Sequence, residues 1–177
     1  MVVRVVIIAC FFIPIAACAV PVITPGTMET VDRTITFSTL QQNLDAMVDS
    51  TVMLGGRIIE TTPKEEETWI EVLENPLDRN GKPMSADLSS GRFLVRFQGF
   101  LEPTIYEKGR ALTVAGRVDG KVIRPIGEIN YTYPLLTAIE HHLWDIDEAA
   151  GSPRFGIGIG IGLGGGTRGG GAVGVEF

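Results

Sequence analysis

Cys18 is the side chain in this sequence whose type and surroundings announce a covalent chemistry. It follows Ile15-Ala16-Ala17, and the run Ile-Ala-Ala-Cys matches a bacterial lipobox. A cysteine thiol is nucleophilic enough to take up a diacylglycerol as a thioether. The peptide before it is then cut away and the cysteine becomes the first mature residue. The upstream residues fit such a leader. Arg4 and the terminal amine form a small positive region, and the eleven residues 5–15 are apolar. That is the length of a signal-peptide core and well short of the about 20 residues needed to cross a bilayer. Pro14 would break a helix where cleavage has to occur. Ala17-Cys18-Ala19 also satisfies an ordinary secretory cleavage site, and an uncleaved signal anchor is a third option. The lipobox reading takes precedence over both.

Other chemistry-bearing residues offer less. His141 and His142 are adjacent, so on a strand they face opposite ways and do not share a metal. No further ligands stand at zinc spacing, and no metal site is expected. Asp78, Asp87 and Asp119 sit in turn-like surroundings without a calcium-loop pattern. Glu71, Glu74, Glu128 and Glu140 could serve glycosidic acid–base work only if the fold placed two of them at a set separation in a cleft. No nucleophile elbow or P-loop is present. No cofactor other than the lipid on Cys18 is expected, and no enzymatic activity. Arg92 and Arg96, with Tyr131 and Tyr133, are a candidate binding face for an anionic glycan or a peptide. A solvated face of arginine–glutamate pairs is the simpler alternative.

Composition narrows the partners. Cys10 lies in the leader, so a mature chain begun at Cys18 has no free thiol, disulfide or thiolate metal site. Without Arg4 there are 14 basic and 21 acidic residues, a net charge of −7. An acidic domain repels phosphate backbones, which argues against nucleic acid.

The elements that must position these residues are mostly strands. Residues 18–34 hold Pro21, Pro25 and Gly26 without periodicity and read as a tether. Ser38 with Gln41 suggests the start of a helix whose apolar face is Leu40, Leu44, Met47 and Val48. Branched residues over 52–60 predict a strand, with Gly55-Gly56 marking a bulge or a close backbone approach. Residues 68–73 form a second strand anchored by Trp69, after the charged turn at 64–67. A polar loop spans 75–91. Residues 92–97 alternate, with Phe93, Val95 and Phe97 on one side and Arg92, Leu94 and Arg96 on the other. Residues 111–118 alternate again, with Thr113, Ala115 and Arg117 outward. Two last strands over 127–133 and 135–143 are separated by Pro134. The order predicts a mainly β fold, a small antiparallel OB-like barrel with one short N-terminal helix.

The blocks Leu54-Gly55-Gly56-Arg57-Ile58-Ile59, Gly91-Arg92-Phe93-Leu94-Val95-Arg96, Gly99-Phe100-Leu101-Glu102-Pro103 and Leu112-Thr113-Val114-Ala115-Gly116 stand in that order. With Tyr131-Thr132-Tyr133-Pro134 and His142-Leu143-Trp144 they resemble the Slp family of starvation-inducible outer-membrane lipoproteins. The resemblance covers roughly residues 35–145 together with the lipobox. It implies an outer-membrane lipoprotein tied to starvation or stationary-phase envelope physiology, and it brings no catalytic residues. Ala19, where lipoproteins retained at the inner membrane generally carry Asp, agrees with that location. The domain is expected to face the periplasm, held to the membrane by its lipid, with an envelope protein or glycan as partner. The organisation is then a signal peptide over 1–17, a lipidated tether over 18–34, the barrel over 35–146 and a tail over 147–177. The tail alternates Gly and Ile over 156–161 and carries two Gly triplets. Glycine's backbone entropy opposes order there, while a contact strand recruiting a larger complex is the functional alternative.

Overall fold

The computed structural model describes residues 21–84 and 86–145 of the chain. Cys18, its lipobox and the tail over 147–177 lie outside the described residues. Two short helices, α1 (Pro25–Thr30) and α2 (Phe37–Gln42), precede five strands: β1 (Thr51–Pro63), β2 (Glu67–Glu74), β3 (Arg92–Gln98), β4 (Ala111–Ile126) and β5 (Ile129–Leu143). The strands close into a barrel in the order β1-β2-β3-β5-β4. All neighbours are antiparallel except β3 and β5, which run parallel over Leu94–Arg96 and Leu135–Thr137. The barrel is therefore mixed rather than purely antiparallel. With five strands in the ring and the other four pairs antiparallel, β3 and β5 must run in the same direction. Five strands in this order are the OB-fold arrangement.

The alternation read in β3 explains the core. Phe93, Val95 and Phe97 pack inward with Val52, Ile58, Ile70, Val72, Leu112, Val114 and Val118. Burying each such side chain contributes about 1.5–3 kcal/mol relative to leaving it in water. Helix α2 adds Phe37 and Leu40 to this core, and the Phe37 and Phe93 rings lie 6.1 Å apart. Its cap is Thr36, whose hydroxyl accepts the Thr39 amide at 3.2 Å, not Ser38. The helix ends at Gln42 and a 3-10 turn over Leu44–Ala46 follows. Leu44 is therefore buried and Met47 half-buried, while Val48 is left exposed.

Gly56 shows why the glycine pair is needed. A Cβ there would stand 1.9 Å from the Leu73 carbonyl oxygen, where β1 crosses β2. The register of β1 against β2 then shifts between Ile58 and Glu60, the bulge expected nearby.

Two further expectations are corrected. Pro134 does not separate two strands; it lies within β5 opposite Lys121. Pairing of β5 with β3 begins one residue later, at Leu135. The missing amide thus falls where the ladder to β3 has not yet begun. Asp119 lies within β4 rather than in a turn, at the irregularity between Val118 and Gly120. Thr113 and Ala115 point out of the barrel, as read, yet both are fully buried, and the 75–91 loop reaches Thr113 through Gly81. Thr113 donates its hydroxyl to the Gly81 carbonyl at 2.6 Å and accepts the Trp144 indole N–H at 3.0 Å.

The described part of the stretch read as a tether is built onto the barrel. Ile23 is buried, and Thr24 donates its amide and hydroxyl to the two Glu140 carboxylate oxygens at 2.9 and 2.8 Å. The Asp32 amide reaches the Thr51 carbonyl at 2.8 Å.

Candidate binding face

The candidate face is built by the far half of the β4–β5 hairpin. Gly120, at φ +122°, lets β4 bend where its register slips. Beyond the bend the hairpin lies over the outer side of β2 and β3. Leu94, on the side of β3 away from the core, is buried there with Tyr133 and Leu135. Trp69, Val122, Ile126 and Tyr131 pack around them. Alternation places Leu94 outside the barrel, and the arm supplies a second small core to cover it.

The structure brings Arg92, Arg96, Tyr131 and Tyr133 onto this one face and ties each to its own chain. Arg92 meets Glu71 at 2.8 Å, and the Tyr133 hydroxyl donates to the same Glu71 oxygen at 3.1 Å. The Tyr131 hydroxyl accepts the Arg92 amide at 2.9 Å and the Gln41 side-chain amide at 3.0 Å. The two tyrosine rings meet edge to face at 4.8 Å. The hydrogen bond to Glu71 raises the Arg92 pKa. Burial, reinforced by the Glu71 charge, raises that of Tyr133. Arg96 bonds Asp119 and donates to the Thr137 hydroxyl at 2.8 Å, while Asp119 also accepts from Thr137 and pairs with Arg117 at 3.1 Å. Such half-buried pairs fix orientation more than they add stability.

Beside Arg96 lies an open depression of about 550 Å³, rimmed by Lys64, Glu65, Glu66 and Glu67 and floored by Phe97 and Thr137. Trp69 stands near its edge. The Lys64 ammonium lies 3.7 Å from the indole ring centre and the Arg124 guanidinium 4.8 Å from it. The Trp69 indole N–H donates to Glu67 at 2.6 Å. Cations and carboxylates thus alternate across the surface.

Glu71, Asp119, Thr137 and Arg124 are the members that sequence reasoning did not assign to this face. Glu71 was accessible in principle, since Trp69, Glu71 and Leu73 alternate against the buried Ile70 and Val72. Thr137 is placed opposite Arg96 by the parallel β3–β5 register, and Asp119 and Arg124 by the irregularity and bend of β4 at Gly120, which has no local signature beyond that glycine.

The remaining candidates are dispersed. Each of the four glutamates has its own setting. Glu71 serves Arg92 and Tyr133, Glu74 accepts the Ser90 amide at 2.9 Å, Glu140 holds Thr24, and Glu128 is exposed in the hairpin turn. His141 and His142 face opposite ways. His141 Nε2 lies 2.7 Å from the Tyr106 hydroxyl, and the His142 ring meets Trp144 at 4.6 Å. Among the described residues no group of three His, Cys, Asp or Glu side chains is placed to hold a metal. No described helix is long and apolar enough to cross a membrane.

The class this defines is a five-stranded OB-like barrel whose outer β2–β3 face is covered by its own hairpin. The outer membrane lipoprotein Slp family model matches residues 15–156, and the chain belongs to that family. Membership places the protein at the outer membrane and implies a lipid anchor. An uncharacterized protein of Haemophilus influenzae is 40% identical over 97 residues, 54% of this chain and 52% of its own length. In Escherichia coli K12, the uncharacterized lipoprotein YeaY is 27% identical over 94 residues, covering 53% of this chain and 48% of its own. The outer membrane protein Slp of the same strain is 28% identical over 94 residues, covering 53% and 50%. The chain spans about half the length of the curated relatives it matches.

Proposed function

We propose that the protein is a non-catalytic envelope module, tethered through a lipid on Cys18 and facing the periplasm, that holds or contacts another envelope component under starvation or stationary-phase stress. One observation carries this reading. OB-folds bind oligonucleotides and oligosaccharides on the face of strands 2 and 3 and the adjoining loops. Here that face is filled by Tyr133, Leu135 and Leu94, and its Arg92 is engaged by Glu71. A barrel with its usual ligand face occupied from within suits a scaffold better than an oligomer-binding cleft. Confinement by the anchor would raise its effective concentration near membrane-bound partners.

The test is crosslinking in intact cells with the wild-type protein and the Cys18→Ser form. The reading expects the wild type to fractionate with the outer membrane and capture a defined envelope component. It expects Cys18→Ser to be released and to lose that capture. Wild-type protein released without hydrocarbon, by intact mass, sinks the anchor; equal capture by both forms sinks the role given to it.

A second reading is favoured by the depression beside Arg96, where Lys64 and Trp69 could meet an anionic glycan. Binding of soluble peptidoglycan fragments, lost in Lys64→Ala and Arg96→Ala, would carry it. Unchanged binding in both variants would remove it.

A further inference from the structure

A second recess of about 590 Å³ lies away from the arm, where the described chain begins and ends. Val22, Ile23, Met28, Met53 and Trp144 line it, with Arg79 at its side. The surface is mainly apolar and built from four separate segments. Trp144 is fixed at its edge, its amide bonded to the Ala111 carbonyl at 2.9 Å and its carbonyl accepting Arg110 at 2.8 Å. Thr24, bonded to Glu140, holds the entering segment against β5. Cys18 stands three residues before Pro21, so covalent geometry keeps their Cα atoms within about 11 Å of one another.

We propose that this recess is a second membrane contact, seated on the bilayer surface beside the lipid of Cys18. The inference rests on the anchor reading above, because that short reach is what brings the recess to the bilayer. A lipid on Cys18 cannot insert without drawing Pro21 and Val22 to the headgroup level. The half-buried Val22, Met28 and Met53 side chains then meet the acyl boundary, where binding scales with the apolar area covered, with the buried Trp144, its indole N–H on Thr113, lying behind them. Arg79 reaches the phosphates. Glu29, Asp78 and Asp145 also lie at or beside the recess in sequence, so its charge is mixed. Apolar burial rather than electrostatic attraction supplies the contact, and the affinity should depend little on salt.

The experiment uses the mature lipidated protein in vesicles of phosphatidylethanolamine and phosphatidylglycerol whose acyl chains are brominated. Bromine should quench tryptophan emission, and the quenching should vanish in Trp144→Phe. Partition of the mature-length Cys18→Ser form (residues 18–177, without the apolar leader) onto the same vesicles should be measurable and should fall about tenfold in Met28→Asp. Met28 lies on a six-residue helix with no buried residue, so that change leaves the barrel intact. Val22→Asp provides an independent second variant. Quenching that persists in Trp144→Phe, or partition unmoved by both aspartates, overturns the proposal. Intact mass separates the two levels. A protein carrying lipid whose Trp144 is not quenched overturns the recess alone, and a protein without lipid overturns the anchor and the recess with it.

Discussion

Arg92 and Tyr133 share one acceptor: the same Glu71 carboxylate oxygen lies 2.8 Å from the guanidinium and 3.1 Å from the phenol. The three residues come from β3, β5 and β2, so one carboxylate pins the folded-back hairpin to the barrel wall. The contact is directional where the surrounding apolar packing of Leu94, Leu135 and Trp69 is not. It therefore sets the register of the arm.

This relationship is measurable as a coupling. Glu71→Ala leaves a half-buried guanidinium and a buried phenol without their acceptor, and each single replacement of Glu71 or Arg92 should cost about 1–3 kcal/mol. In a double-mutant cycle followed by urea unfolding, the Glu71–Arg92 coupling should be about 1 kcal/mol. A coupling indistinguishable from zero would mean that apolar contacts alone hold the arm.

Gly56→Ala should be among the most damaging small substitutions. Its Cβ would stand 1.9 Å from a backbone oxygen of β2, which cannot move aside as a side-chain tip can. Separating β1 from β2 there strains the ladder that closes the barrel, at about 3 kcal/mol. Gly26→Ala is the control, with nothing within 4 Å of the added methyl. Equal urea midpoints for the two variants would refute the close-approach argument.

These two sites mark what could be read from residues alone. The close approach at Gly55-Gly56 and the two faces of β3 follow from local chemistry and period-two alternation, which needs no knowledge of neighbours. The same alternation put Arg92 and Arg96 on one side, and β5 brings Tyr131 and Tyr133 to them. Of their partners, Glu71 follows from the alternation of β2, while Thr137 and Asp119 stay hidden because they reach Arg96 through the β3–β5 register and the irregularity beside Gly120. Pro134 misled for a related reason. Proline interrupts a strand only where its amide is needed, and here the β3 ladder starts just after it. Thr36 and Ser38 both offer a hydroxyl at the start of α2, and only Ser38 has Gln41 at the capping-box spacing. Only the backbone path shows which hydroxyl meets an orphan amide.

Glu74→Gln should stabilise the protein at neutral pH. Burial raises the Glu74 pKa above its ordinary 4.5, with the Ser90 amide opposing. A raised carboxylate means that the charged form is disfavoured in the fold. The penalty is full above the folded pKa and absent below about 4.5, the unfolded value. Glutamine keeps an oxygen for the Ser90 amide and carries no charge. Its advantage in urea midpoint should be present at pH 7 and disappear as pH falls below 4.5. A variant less stable than wild type at pH 7 would show that the charged hydrogen bond outweighs desolvation.

His141 should make stability fall in mild acid. Its ring packs edge-on to Phe97 at 5.0 Å and its Nε2 faces the Tyr106 hydroxyl. Burial lowers its pKa below the ordinary 6.5; His142 adds to the shift and Glu140 opposes it. The unfolded chain then takes up a proton that the folded chain resists. The contribution is fully present above pH 6.5 and is lost as pH falls toward and through the folded pKa. Urea midpoints should therefore decline between pH 7 and pH 5, before the carboxylates titrate. His141→Gln should flatten that decline while keeping a polar group opposite Tyr106. His142→Gln, which alters an exposed ring on the other face, should leave most of it in place. An NMR titration of the His141 imidazole midpoint at or above 6.5 would reverse the sign and rule the account out.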